Sequence, residues 1–225
     1  MLLPDNKGDV PITMKIIETE MQARQELVQW GKELYTQGLV KGSGGNLSIR
    51  LPDGRILFTP TGFLLGHMTE ECLSLCDENG VLLSGEKPTK EVPLHMAVYR
   101  TRPNVQAVCH THSVYATAYA SMAEVGDTMP IITPSVAAKV GFIQVKGYAA
   151  PGSNLLGQFV EDGISHSNAV LLANHGVVAV GPSMEAAVSM ANEVENNAML
   201  LLLGRDQIHH LSQTDVDLLV RKVSL

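Results

Sequence analysis

The chain has 225 residues, 45% of them hydrophobic, which suits one large domain better than two small ones. Only 4% are aromatic, so a core must be built from Val, Leu, Ile, Ala and Met. The net charge of −7, with no cluster of Lys and Arg, argues against a nucleic-acid binder, which carries a basic stripe, but leaves a small anionic substrate open. No apolar stretch reaches spanning length, so no transmembrane helix or membrane role is expected. The cysteines are Cys72, Cys76 and Cys109, an odd set without a secretory signal, which points to a reducing cytoplasm.

Residues 1–13 hold Pro4, Gly8 and Pro11 and no periodic pattern. They read as a flexible N-terminal arm before a single domain over 14–225. From Ile16 to Gln37 the residues Ile17, Met21, Leu27, Trp30 and Leu34 form a helical stripe, closed by Gly38. Leu47–Arg50 and Arg55–Thr59 read as a hairpin around Pro52-Asp53-Gly54. Cys72–Cys76 and Val81–Leu83 read as a second pair of strands, with Cys72 and Cys76 as small core residues on one face. A helix follows over Val92–Arg100, a strand over Val105–Cys109 and a helix over Ser113–Met122. Then come a strand at Phe142–Val145, a helix at Asn154–Glu161 and strands at Ala169–Ala173 and Val177–Val180. Ser183 caps a long helix running to about Leu203, and Thr214–Val220 closes the chain as a short helix. Helices alternate with strands, several of which pair as hairpins. The expected fold is α/β, with a central mixed, largely antiparallel sheet flanked by helices in three layers.

The strongest chemical signal is Cys109-His110-Thr111-His112-Ser113 together with Asn174-His175-Gly176. In a strand, residues i and i+2 share a face, so one ion could bind His110 and His112. His175 also follows an apolar run. Three imidazoles with an open position suit a catalytic divalent ion, most often zinc, and such an ion polarises a substrate oxygen. Gly42-Ser-Gly-Gly-Asn46 reads as an anion cradle or simply a tight turn. Thr59-Pro-Thr61-Gly62 offers two hydroxyls beside another turn. Lys87-Pro-Thr89-Lys90-Glu91 is a solvated loop, unless it lies near a metal. There Thr89 and Lys90 could hold an anion, and Glu91 could ligate or move a proton. His95, four residues after Glu91, shares its helical face and either touches the site or packs locally.

Taken in order, Gly-Gly-Asn-Leu-Ser-Ile-Arg, Thr-Pro-Thr-Gly, Pro-Thr-Lys-Glu, His-Thr-His-Ser and Asn-His-Gly resemble the class II aldolase/adducin family, from about Ile16 to the C-terminus. The resemblance implies that His110, His112 and His175 are zinc ligands, with Mn²⁺ or Co²⁺ as alternatives, and that Glu91 is the catalytic acid/base. It implies that Asn46, Thr61, Gly62, Thr89 and Lys90 serve the substrate phosphate, and that the protein is a homotetramer with active sites between subunits. Within the family, Glu91 replaces the Asp of the 4-epimerases, and Lys90 replaces the Ser of the fuculose-type aldolases. The catalytic tyrosines of those aldolases have no counterpart in Pro130–Ser135 or after Tyr148. His209 or His210 could stand in for them from a neighbouring subunit, although the pair also reads as an exposed polar stretch. The pattern is most similar to the 3-oxo-tetronate 4-phosphate decarboxylases. It implies a zinc-dependent carbon–carbon lyase that takes a phosphorylated sugar acid to dihydroxyacetone phosphate and CO2. The alternatives are a sugar-phosphate aldolase and, further off, an epimerase or a non-catalytic adducin-like module.

Overall fold

A computed structural model describes residues 12–122, 126–204 and 207–220, with residues 12–18 given by backbone alone. The proposed arm lies outside the described residues, except that Ile12 and Thr13 already belong to the first helix. The strands are β1 (Asn46–Arg50), β2 (Ile56–Phe58), β3 (Ser74–Cys76), β4 (Leu82–Ser84), β5 (Ala107–Thr111), β6 (Gln144–Lys146), β7 (Ala169–Leu172) and β8 (Gly176–Gly181). They form an eight-stranded sheet in the order β4-β3-β2-β1-β5-β8-β7-β6. Every neighbouring pair is antiparallel except β6–β7. The helices are α1 (Ile12–Thr36), α2 (Val92–Thr101), α3 (Val114–Ala120), α4 (Pro134–Lys139), α5 (Asn154–Ile164), α6 (Met184–Gly204) and α7 (Gln213–Val220).

Alternation along the strands sorts the core into two clusters, which makes three layers. Leu47, Cys109, Val177 and Ala179 face one side, where α1, α3, α4, α6 and α7 supply Leu27, Ala116, Val136, Ala187 and Val216. Val108, Val178 and Val180 face the other, where α2 and α5 supply Leu94, Val98, Leu156 and Val160. His110 is two residues from Val108 and so points to the α2 face. The C-terminal end of α2 is anchored by the buried Arg102, whose guanidinium donates to the carbonyls of Ile164 and Ser167. That anchor fixes the helix whose N-terminal end carries Glu91.

Two readings change in detail. Glu70–Cys72 forms a 3₁₀ turn, which breaks the period of two, so Cys72 and Cys76 do not share a face. Cys76 is buried on the α2 side, and Cys72 is half-buried against the opposite cluster. Helix α4 was not expected between Pro130 and Phe142. Its signal is short: Thr133 accepts from the Val136 amide at 3.3 Å, and Pro134 opens the first turn. Ser183 caps α6 as read, accepting from the Ala186 amide at 3.2 Å. No helix among the described residues is long and apolar enough to cross a membrane.

Candidate metal centre and cleft

β5 lies between β1 and β8, and the register sets His110 opposite Asn46 on one side and Val178 on the other. The His110 ring Nδ1 lies 2.9 Å from the Val177 carbonyl. A carbonyl only accepts, so Nδ1 carries the proton and Nε2 presents a lone pair. His112 stands one residue beyond β5, exposed at the cleft. His175 sits in the β7–β8 turn, where Asn174 takes a left-handed φ of 57° and the His175 amide donates to the Leu172 carbonyl at 3.2 Å. A Cβ on Gly176 would come within 2.2 Å of the Thr111 carbonyl, so glycine lets this turn close onto the end of β5.

The three rings bring their Nε2 atoms together: His110 lies 3.1 Å from His112 and 3.3 Å from His175. Glu91 completes the group, with Oε2 3.2 Å from His110 Nε2 and Oε1 3.1 Å from His175 Nε2. Nitrogens about 2.0–2.1 Å from a tetrahedral ion stand about 3.3 Å apart, so these spacings fit one bound cation. Lone pairs facing each other at this range repel unless a positive charge lies among them. The donor set is that of a transition-metal site.

The electrostatics agree. Although one edge of the ring is exposed at the cleft, desolvation by the protein around it pushes the His112 imidazole down to about 3, reinforced by His110 and His175 and opposed by Glu91, which keeps it in the neutral, ligating form. Burial works against the Glu91 carboxylate, but His110, His175 and Asn46 outweigh it and hold the group ionised well below the usual carboxylate range. In turn, burial lowers His110 but Glu91 raises it more, so without a cation the pair favours a proton on His110 Nε2, in the place a bound ion would take.

Glu91 precedes α2 as its N-cap residue, and its amide donates to the Thr89 hydroxyl at 3.2 Å. Its Oε2 accepts from Asn46 Nδ2 at 2.8 Å. Asn46 Oδ1 lies 2.5 Å from His95 Nε2, so both ends of the Asn46 amide are engaged inside the protein. A cleft of about 460 Å³ opens above the cluster, lined by Asn46, Thr61, Gly62, Thr89, Lys90 and His175 among others. Ser43 from the glycine-rich turn also lines it. The two hydroxyls of Thr59-Pro-Thr61 separate: Thr59 is buried and accepts from the Leu47 amide at 3.1 Å, and only Thr61 reaches the cleft. His209 and His210 are exposed, and His210 borders a different hollow beside Met129 and Val216.

Gly45 holds the turn against β5. Its φ is +79°, and a Cβ there would meet the His110 carbonyl at 2.8 Å. Gly45→Ala is expected to destabilise the fold by about 1–3 kcal/mol, the cost of a strained backbone position. Denaturant unfolding checks this, and an unchanged midpoint would mean the turn relaxes freely.

A sheet flanked on both faces carries the His/His/His/Glu cluster near the ends of its central strands and the start of α2. The profile of the Class II Aldolase and Adducin N-terminal domain matches residues 25–202, and the chain belongs to that family. It is 38% identical to the 3-oxo-tetronate 4-phosphate decarboxylase of Pectobacterium atrosepticum, over 89% of this chain and 93% of that protein. It is 35% identical to an L-fuculose phosphate aldolase of Methanococcus maripaludis, over 78% of this chain and 93% of that one. Among solved structures, YgbL of Klebsiella pneumoniae, described as a candidate aldolase/epimerase/decarboxylase, superposes with a TM-score of 0.86 at 40% identity, covering 89% of this chain and 99% of that one.

Proposed function

We propose that the protein is a divalent-metal-dependent carbon–carbon lyase that decarboxylates a 3-oxo-tetronate 4-phosphate to dihydroxyacetone phosphate and CO2. The observation that carries the reading is the convergence of His110, His112, His175 and Glu91 at the floor of the cleft that Thr61, Thr89 and Lys90 line. The identity to the Pectobacterium decarboxylase supports the substrate class. His110, His112 and His175 would hold the ion; zinc suits three imidazoles, and Mn²⁺ or Co²⁺ would also be accepted. When bound, the ion supplies Lewis-acid stabilisation of the negative charge that develops on substrate oxygen.

The chain's own residues do the rest. Thr61, the Gly62 backbone and Thr89 take the phosphate, with Asn46 beside them. Lys90 neutralises the substrate's phosphate or carboxylate. Glu91, ionised at rest, takes the proton of the C2 hydroxyl on Oε1, the oxygen that Asn46 leaves free. The C1–C2 bond then breaks, CO2 departs, and the electron pair passes towards the C3 carbonyl to give an enediolate. Glu91 returns its proton to C2, and the oxygen left as an alkoxide takes a proton from water, the one proton the reaction consumes, which yields dihydroxyacetone phosphate. Holding the phosphate end fixes C2 against Glu91, which is the entropic part of the rate. We place the enzyme in the cytoplasm as a homotetramer with one ion per subunit, its single domain over 14–225 preceded by an arm.

The aldolase alternative passes through the same enediolate but expels an aldehyde, whose oxygen needs a proton. CO2 leaves without one, so Glu91 alone suffices for decarboxylation. The 35% identity to an L-fuculose phosphate aldolase is what supports the alternative. The deciding assay follows CO2 and dihydroxyacetone phosphate from zinc-loaded protein given 3-oxo-tetronate 4-phosphates. Equal amounts of both are expected. Turnover of ketose phosphates to an aldehyde without CO2 would replace this reading with the aldolase one.

A further inference from the structure

From Glu91 a row of buried polar side chains runs along the α2 face of the sheet. Asn46 and Ser48 come from β1, two residues apart on one face, and His95 and Tyr99 come from α2, one turn apart. All four are at most 6% exposed. The contacts are Glu91 Oε2 to Asn46 Nδ2 at 2.8 Å and Asn46 Oδ1 to His95 Nε2 at 2.5 Å. They continue from His95 Nδ1 to Ser48 Oγ at 2.7 Å and from Ser48 Oγ to the Tyr99 hydroxyl at 2.7 Å.

Donor and acceptor rules leave one assignment for the row. A carboxylate only accepts, so Asn46 turns its NH2 to Glu91 and its carbonyl oxygen to His95. That oxygen also only accepts, so His95 Nε2 carries the proton. Burial pushes His95 down to about 3, with His110 adding to the shift and Glu91 opposing it, so the ring is neutral and Nδ1 is an acceptor. Ser48 therefore donates to Nδ1, and Tyr99 donates to Ser48. Every O–H and N–H in the row points towards Glu91, and aligned bonds in a buried setting strengthen one another. The opposite imidazole tautomer would reverse the Asn46 amide and set its oxygen against the carboxylate.

We propose that His95 is a positioning residue for the reaction: its Nε2–H locks the Asn46 amide, and through it the orientation of Glu91 Oε2, with the Ser48 hydroxyl, itself held by Tyr99, pairing the other ring nitrogen. The proposal rests on Glu91 being the acid/base group. Nothing but burial is asked of His95 if it is merely a satisfied core residue, so the two roles separate by experiment.

Ring-¹⁵N NMR of the zinc-loaded full chain gives a readout that needs no substrate. His95 is expected as a neutral Nε2–H imidazole, and a cationic or Nδ1–H ring overturns the proposal. Kinetics on 3-oxo-tetronate 4-phosphate give the second. Gln can hold an N–H near the position of Nε2, whereas Asn is too short to reach Asn46. His95→Asn is expected to lower kcat about 10–100-fold, as loss of an outer partner does, with KM and metal content unchanged. His95→Gln is expected to recover most of that loss. Ser48→Ala covers the case in which His95 variants fail to fold, because it touches neither Glu91 nor the histidine ligands. It is expected to keep the Nε2–H tautomer but leave Nδ1 unpaired and the ring less firmly held, with a lower kcat at unchanged KM. Equal kcat in the two His95 variants, or a wild-type kcat in Ser48→Ala, overturns the positioning role. If wild-type protein turns over none of these substrates, the proposed activity is what fails, and the NMR result still decides the tautomer.

Discussion

Glu91→Gln is expected to keep its metal and its fold while turnover falls about 10²–10⁴-fold, the range that a positioned acid–base group contributes. The variant is a clean one because the Gln carbonyl can still accept from Asn46, whose NH2 now lies 2.8 Å from Oε2. The shape of the site and its link to His95 therefore persist, and what is lost is the ability to take and return a proton. The negative charge also goes. It now sits 3.2 Å from His110 and 3.1 Å from His175, so some loss of metal affinity accompanies the change, and the assay is run at saturating zinc. Metal analysis and kcat are read on the same preparation. Full activity with full metal content would remove Glu91 from the chemistry.

Chelation has the other large expected effect. Removing the ion is expected to abolish turnover and lower the unfolding midpoint, and zinc is expected to restore both. The physical ground is the cluster itself: His110, whose ring is wholly buried, faces two other Nε2 atoms at 3.1 and 3.3 Å. A cation that binds the folded state alone stabilises it by mass action, by about 4 kcal/mol when its free concentration is 1,000 times its Kd. The same experiment separates an enzyme from a catalytically silent relative. A chain that carries no metal as isolated, rebinds none and keeps its midpoint in chelator would be a binding module.

Much of this site is legible without coordinates, because its signals are local. His110 and His112 follow an apolar run and strand periodicity groups them, while His175 is marked only by following a second such run. The course of α6 is equally plain, since a Ser183 cap marks its start, whereas α1 begins at Ile12, ahead of the stripe that reveals it. What is not legible depends on register. His95 shares a helix face with Glu91, but its partners Asn46 and Ser48 lie on a strand whose position against α2 is set only once the sheet forms. The same holds for Thr59. Its hydroxyl looks available in the sequence and is in fact taken by the Leu47 amide across a strand pair. The turn at Cys72 and the helix α4 escape the sequence for a different reason. A 3₁₀ turn of three residues and a helix of six are too short for periodicity to reveal, and only the Thr133-Pro134 cap hints at the second.

The cleft draws its two halves from different kinds of structure. His110 and Asn46 sit on paired central strands, and Glu91 is pinned by a helix that Arg102 anchors at its far end. Thr61, Gly62, Lys90 and Pro151, by contrast, stand on connecting segments around the rim. Connecting segments accept replacement far more readily than paired strands. The segments of Thr61 and Pro151 can therefore be exchanged without touching a ligand or Glu91, so substrate range can be rewritten there, whereas the segments of Lys90 and Asn174 are tied to Glu91 and His175.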